Sequence, residues 1–182
     1  HPRNPVLLLQ LGSNDVRCKG EEKLASTSTD LSFRYLRPVF NAGDLQFFKR
    51  GRFDMVSVSP FIPHSQTPLA GEPAGELMMT LKMIALTRIV CPKAHIPAST
   101  AMGSLHGRDE RPRALASGAN VIMPNFTPNS VRRLYDIYPG KTGCDLPPQQ
   151  SVAAIERMAA AMGRWVDYAR GDALRLKGTP GC

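Results

Sequence analysis

Apolar residues change their spacing along this chain, and the change outlines the expected elements. From residue 42 onward, short apolar runs take turns with stretches of helical spacing. "GDLQFFKRGRF" reads as the end of a helix and a turn, and "DMVSVS" (54–59) reads as a strand. Leu77, Met78, Leu81, Ile84, Ala85 and Ile89 are read as one helical face, with Pro92 stopping the helix. "AHIPAST" is the next strand, "RPRALAS" a short helix closed by Gly118, and "NVIMP" a third strand. Val131, Leu134, Tyr135 and Tyr138 make a helical stripe. "PPQQSVAAIERMAAAMGR" is a last helix with Ser151 as N-cap. The segment "GDALRLKGTPGC" reads as a frayed tail. Residues 1–41 mix charges, Ser/Thr and Pro without a lasting period of 2 or 3.6, so no element is assigned there.

The order strand, helix, strand, helix, strand, helix, helix predicts an α/β fold. Its strands are nearly continuous apolar runs, as expected for parallel strands covered on both faces. Two architectures fit: an open doubly wound sheet, or the closing part of a (β/α)8 barrel. No Gly-rich phosphate turn follows any strand, which weighs against a nucleotide fold. Three βα units cannot close a barrel, which usually takes about 250 residues, so on the barrel reading the chain is incomplete.

The formal charge of +8 comes from 23 Lys and Arg against 15 Asp and Glu. These basic residues are dispersed, with pairs such as Lys49-Arg50 and Arg132-Arg133 and few aromatics between them. That pattern predicts a solvated basic surface rather than a nucleic-acid site. No apolar run is long enough to cross a membrane, and "HPRNPVLLLQLGS" lacks the flanks of a secretion signal. A cytoplasmic protein is expected, and the His1 start hints at a truncated chain. Cys18, Cys91, Cys144 and Cys182 lie far apart, with no CxxC or tighter cluster. Their spacing offers neither a zinc ribbon nor the usual cysteine run of an iron–sulfur cluster. No His/Asp/Glu cluster at metal spacing and no Gly-flanked nucleophilic serine occurs, so hydrolysis has no support.

In βα folds chemistry sits where the carboxyl ends of the strands meet their loops. Three such exits are legible: "SPFIPH" (59–64), "PASTAMG" (97–103) and "IMPNFTP" (122–128). Each carries a proline, which fixes φ and withholds a donor, leaving nearby backbone groups to be aimed at a ligand. Ser99 and Thr100 supply hydroxyls, Met123 a soft apolar wall, and Asn125 a paired donor and acceptor. Each residue has a structural alternative. His64 suits a capping or packing role, Met55 and Met123 suit a core, and Tyr135 and Tyr138 suit packing on their stripe.

The stretches "PFIPHSQTPL", "IPASTAMG", "GANVIMPNFTP" and "YDIYPGK" closely resemble the C-terminal part of the radical S-adenosylmethionine (SAM) maturases of the HydE type. These enzymes act in assembly of the FeFe-hydrogenase active-site cluster and are related to biotin synthase. The resemblance runs from about Gly43 to Arg164. It implies a radical SAM (β/α)8 TIM-type barrel, of which this chain holds the last three βα units. On that pattern residues 1–41 are an irregular lead-in, out of frame or disordered, 42–164 the half-barrel, and 165–182 a tail. The resemblance also implies that Pro60, Phe61, Ile62 and His64 bind SAM, with backbone groups reading the adenine edge. Ser99 and Thr100 match positions that hold an anionic group of the substrate. Met55, Met123, Tyr135 and Tyr138 match residues lining the lumen or substrate site. The implied partners are a small iron- and sulfur-containing substrate and the hydrogenase maturation proteins, with no nucleic acid and no membrane.

The family's 4Fe-4S cluster needs a CxxxCxxC loop, and this chain has none. "RYLRPVFNAGD" stands where a Gly-rich strand end is expected, and Ser151 and Ala154 stand where some relatives carry further cysteines. The expectation is therefore a fragment supplying walls, inactive alone and without metal ligands or catalytic residues of its own. The alternatives are a fragment of another biotin synthase-like enzyme of the methylornithine synthase type, or a non-catalytic residual barrel half.

Overall fold

The computed structural model describes residues 6–8, 41–132, 140–141, 147–169 and 171–172. Strand β1 is Val6–Leu8, helix α1 Asn41–Gly51 and helix α2 Leu77–Val90. Two 3-10 turns, Thr100–Gly103 and Leu105–Gly107, precede helix α3, Arg111–Ala116. Strand β2 is Val121–Ile122, helix α4 Asn129–Arg132, helix α5 Pro148–Ala161 and strand β3 Val166–Asp167. Among the described residues no helix is long and apolar enough to cross a membrane.

The sheet order is β2-β1-β3, with both pairings parallel. Two parallel bridges, Met55 to His95 and Pro97 to Val121, extend it by the segments around 55 and around 95–97. Five parallel segments therefore lie side by side. The expected strands 54–59 and 94–100 shrink to these bridges, and Pro97 gives the reason. It has no N–H for the ladder, so Ile96 and Ala98 carry the pairing. Ala98 N–H donates to Val121 O (2.8 Å), while Asn120 and Val121 N–H share Ile96 O at 2.9 and 3.3 Å. No element was expected at Val6–Leu8 or Val166–Asp167, yet both join the sheet. A three-residue and a two-residue strand are too short to show a period of 2, so pattern alone cannot reveal them.

Helices cover one side of this sheet. Leu81 and Ile84 from α2, Ala114 and Leu115 from α3, and Ile155 and Ala159 from α5 form one buried cluster with Ile96, Ala98 and Ile122. The buried arc of α2 is Thr80, Leu81, Met83, Ile84 and Thr87. Ile89, expected on that face, is 73% exposed, and Met78 is 46% exposed. At 3.6 residues per turn, a step of five residues from Ile84 carries Ile89 well off the buried arc. In α5 the N-cap is Pro147 rather than Ser151, whose N–H already donates to Pro147 O within the helix. Pro148 at the first helical position is pre-set for a helix start, so the helix begins earlier.

Arg88 ties these elements together. From near the end of α2, its Nε donates to Gly118 O (2.9 Å), Nη1 to Pro92 O (3.0 Å) and Ala94 O (2.7 Å), and Nη2 to Asn120 Oδ1 (2.8 Å). Burial, opposed by the nearby Cys91 and reinforced by Arg164, lowers the Arg88 pKa from its ordinary value. Asn120 Oδ1 also accepts from Ile96 N–H (2.8 Å), and Asn120 Nδ2 donates to His95 Nδ1 (3.2 Å). His95, only 4% exposed, then places its Nε2 against Asp172 O at 3.1 Å. With Asn120 Oδ1 committed to two donors, the amide must donate to His95, which assigns the ring proton to Nε2. Gly118, at φ +127, ends α3 so close to Arg88 that an added Cβ would meet Arg88 Cβ at 2.8 Å.

Replacing Arg88 by Ala strands the carbonyls of Ala94 and Gly118 and half of the Asn120 amide network. The expected loss is about 2–4 kcal/mol, read as a lower urea midpoint. Arg88→Lys should recover less than half of it, because one ammonium cannot span the fork of acceptors. A wild-type midpoint for Arg88→Ala would contradict this role.

Candidate functional site

The two bridges also set the register at the carboxyl ends of the strands. Met55 opposite His95 and Pro97 opposite Val121 carry forward, in equal steps, to Ser59 beside Ser99 and Ser99 beside Met123. The side chains agree, with Ser59 Oγ and Ser99 Oγ 2.9 Å apart. Ile96, Ala98 and Ile122 belong to the helix-side cluster, and Val58 packs against it. Alternation then directs Met55, Ser57, Ser59, Pro97, Ser99 and Met123 to the other face of the sheet. Met55 is exposed there, and Ser59, Ser99 and Met123 are half-buried. Thr100 follows Ser99 into a 3-10 turn whose Ala101, Met102 and Gly103 are buried. Tyr135 and Tyr138 lie outside the described residues.

The proline-rich loop is pinned at both ends. Pro60 is buried, and Phe61, Ile62 and His64 are half-buried. Phe61 O accepts from Gly75 N–H at 2.8 Å, drawing the loop back to the start of α2. The approach is close enough that a Cβ at residue 75 would meet Phe61 N at 2.7 Å. His64 serves its own turn: Nδ1 accepts from Gln66 N–H (3.1 Å), and its carbonyl accepts from Thr67 N–H (3.1 Å) and Thr67 Oγ1 (2.9 Å). That is the capping alternative weighed for it, and it leaves Nε2 as the ring atom that can face a ligand. Asn125 likewise turns Oδ1 to Thr127 N–H at 3.0 Å, an Asx turn.

Sequence reasoning passed over two residues of this site. Ser59 was legible by counting alternate positions from Val56 and Val58. Gly75 carries no signal in the sequence, since only the fold shows the backbone it must approach.

Among the described residues no three His, Cys, Asp or Glu side chains gather as a metal site would require. Cys91 lies beyond the end of α2, before the amino end of the 94–98 segment, and burial pushes its thiol up despite the opposing pull of Arg88. It stands at the opposite end of the strands from Ser59 and Ser99.

No protein-family model matches the chain. Over 123 residues, 66% of the chain, it is 48% identical to the [FeFe] hydrogenase maturase subunit HydE of Thermotoga maritima, covering 34% of that protein. This stretch is HydE-like. It is also 38% identical over 77 residues to 3-methylornithine synthase of Methanosarcina barkeri, 42% of the chain and 21% of that enzyme. The Methanosarcina acetivorans enzyme gives 39% over 69 residues, 38% of the chain and 19% of that enzyme. The chain thus spans about a third of the HydE it matches and about a fifth of the two synthases. The HydE match is the longest and the highest in identity of the three. The described elements are a partial α/β arrangement.

Gly75→Ala should force Phe61 away from α2, because the atoms in the way are backbone rather than a flexible side-chain end. Phe61 is half-buried in the wild type, so chymotrypsin should cut after it faster in the variant. An unchanged cutting rate would show that the loop is not held at this point.

Proposed function

We propose that residues 42–164 form the last three βα units of a HydE-like radical SAM barrel and supply walls for its SAM pocket and substrate lumen. The observation that carries this is the register, which gathers Ser59, Ser99 and Met123 beside the pinned loop 60–64 at one end of the strands. That arrangement is partly apolar with few polar groups, a lining that small-molecule sites usually have. Pro60, Phe61 and Ile62 would line the adenosine of SAM. Because Phe61 O already accepts from Gly75, adenine recognition falls to the remaining backbone groups of the loop and to His64 Nε2. Ser99 and Thr100 would hold an anionic group of the substrate, and Met55 and Met123 would wall the lumen, with Tyr135 and Tyr138 assigned there from the resemblance. SAM, when cleaved reductively in this family, supplies a 5′-deoxyadenosyl radical, and the chain's residues would shelter it from water.

The residues present do not fit the 4Fe-4S cluster. The four cysteines are scattered in sequence, and Cys91 stands away from the strand exits. The electron-delivering part of the reaction is therefore assigned to no residue of this chain. The activity belongs to an assembly that includes the cluster loop, acting on an iron- and sulfur-containing precursor during hydrogenase maturation. A methylornithine-synthase-like role has shorter matches behind it and is the second reading.

A chimera tests the proposal. The matched stretch of the Thermotoga maritima HydE is replaced by that of this chain, and the cluster is reconstituted anaerobically. The chimera should cleave SAM to methionine and 5′-deoxyadenosine, and Phe61→Ala within it should raise the KM for SAM about tenfold, the effect of about 1.4 kcal/mol of lost contact. A chimera that holds its cluster but does not bind SAM would overturn the assignment.

A further inference from the structure

We infer that Ser59 is a positioning residue, whose hydroxyl orients that of Ser99 so that Ser99 presents its proton to an anion at the strand exits. This rests on the reading of Ser99 as an anion-holding residue and adds a part that neither the resemblance nor the comparisons assign.

Either hydroxyl can donate in the Ser59–Ser99 bond, and an anion at the strand exits selects the direction. Ser59 Oγ has two acceptors within reach: Ser99 Oγ at 2.9 Å and its neighbour's carbonyl, Pro60 O, at 3.4 Å. The first lies within the normal range for O–H···O and the second lies beyond it. When an anion takes the Ser99 proton, Ser59 turns its own proton from the long Pro60 contact to Ser99 Oγ. Ser99 precedes the 3-10 turn Thr100–Gly103, where a serine could spend its side chain on capping, but it makes no side-chain cap bond. Its carbonyl, not its hydroxyl, serves that turn by accepting from Met102 N–H. With Ser59 donating to it in the anion-bound state, Ser99 Oγ keeps its own O–H for the anion.

Two hydroxyls in series strengthen one another. In Ser59 O–H···Ser99 O–H···anion, each donor polarises the next, and the last proton is a better donor than that of a lone serine. The partial burial of both residues limits competition from water. The pairing follows from register, because Ser59 and Ser99 are the same step beyond the Met55–His95 bridge. Pro60 is buried immediately after it, so the Ser59 backbone is held where the strand ends. The ligand class is a small oxyanion or carboxylate, bound by hydroxyl donors and needing no titratable group from these two residues.

The test is a titration of the full chain with sodium sulfate, followed by NMR shifts of the Ser99 and Thr100 amides, for the wild type, Ser59→Ala, Ser99→Ala, the double variant and Ser59→Thr. Ser59→Ala should weaken sulfate binding about fivefold, the range of one lost neutral hydrogen bond, and Ser59→Thr should bind as the wild type does. Ser59→Ala should have no further effect in the Ser99→Ala background. A merely structural role would instead weaken binding in both backgrounds and would overturn the inference. If Ser99→Ala weakens binding and Ser59→Ala does not, the positioning role alone fails. If the wild type shows no sulfate binding, or Ser99→Ala leaves it unchanged, the anion-holding reading of Ser99 fails and the inference with it.

Discussion

One guanidinium sets the conditions for the rest of this structure. Arg88 reaches across from α2 to the end of α3, to the turn after α2 and to Asn120, all at the amino ends of the parallel segments. Asn120 Oδ1, oriented by Arg88, accepts the N–H of Ile96 where a backbone carbonyl would otherwise be needed. That bond sets the register of 94–98 against β2, and the register runs on to bring Ser99 beside Met123 and Ser59 beside Ser99. A polar network at one end of the strands thus positions hydroxyls at the other. On the proposed reading the division matches the usual one in βα folds, with stability at the amino ends and function at the carboxyl ends. Such a network is costly when half satisfied, which is why the fold depends on its being complete.

Much of this is legible in the sequence alone. The order of segments, the stop at Pro92, and Gly118 closing α3 follow from local chemistry acting at single residues, and the structure has them. What was not legible depended on contacts between distant residues. Ile89 was placed on the buried face of α2 because it is apolar, yet it faces outward, while Thr80 and Thr87 are buried in its place. Thr80 tolerates burial by donating to Glu76 O (3.0 Å), a local bond that composition does not announce. Ser151 has the chemistry of an N-cap but loses that place to the Pro147-Pro148 start. Strands β1 and β3 are too short to carry a period, and only pairing reveals them.

The site shows the same contrast. The proline-rich loop and Ser99 stood out because their residue types are odd for a simple strand exit. Their geometry refines the roles open to them. His64 closes its own turn through Nδ1, Asn125 does the same through Oδ1, and Phe61 gives its carbonyl to Gly75. Ser59, unremarkable in sequence, is the partner of Ser99. On the proposed reading the chain contributes a shaped wall with oriented hydroxyls, while the cluster chemistry comes from residues it does not contain.

Native-state amide exchange tests the central claim, that parallel register anchored at Arg88 builds the strand exits. The N–H groups of Val56, His95, Ile96 and Ala98 all donate across the segments, to His95 O, Asp54 O, Asn120 Oδ1 and Val121 O. The account predicts that these four exchange slowly and as a group, well behind the exposed loop amide of Ser65. Exchange of Ile96 and Ala98 at the loop rate would mean that the segments are not laddered, and the site built on their register would not stand.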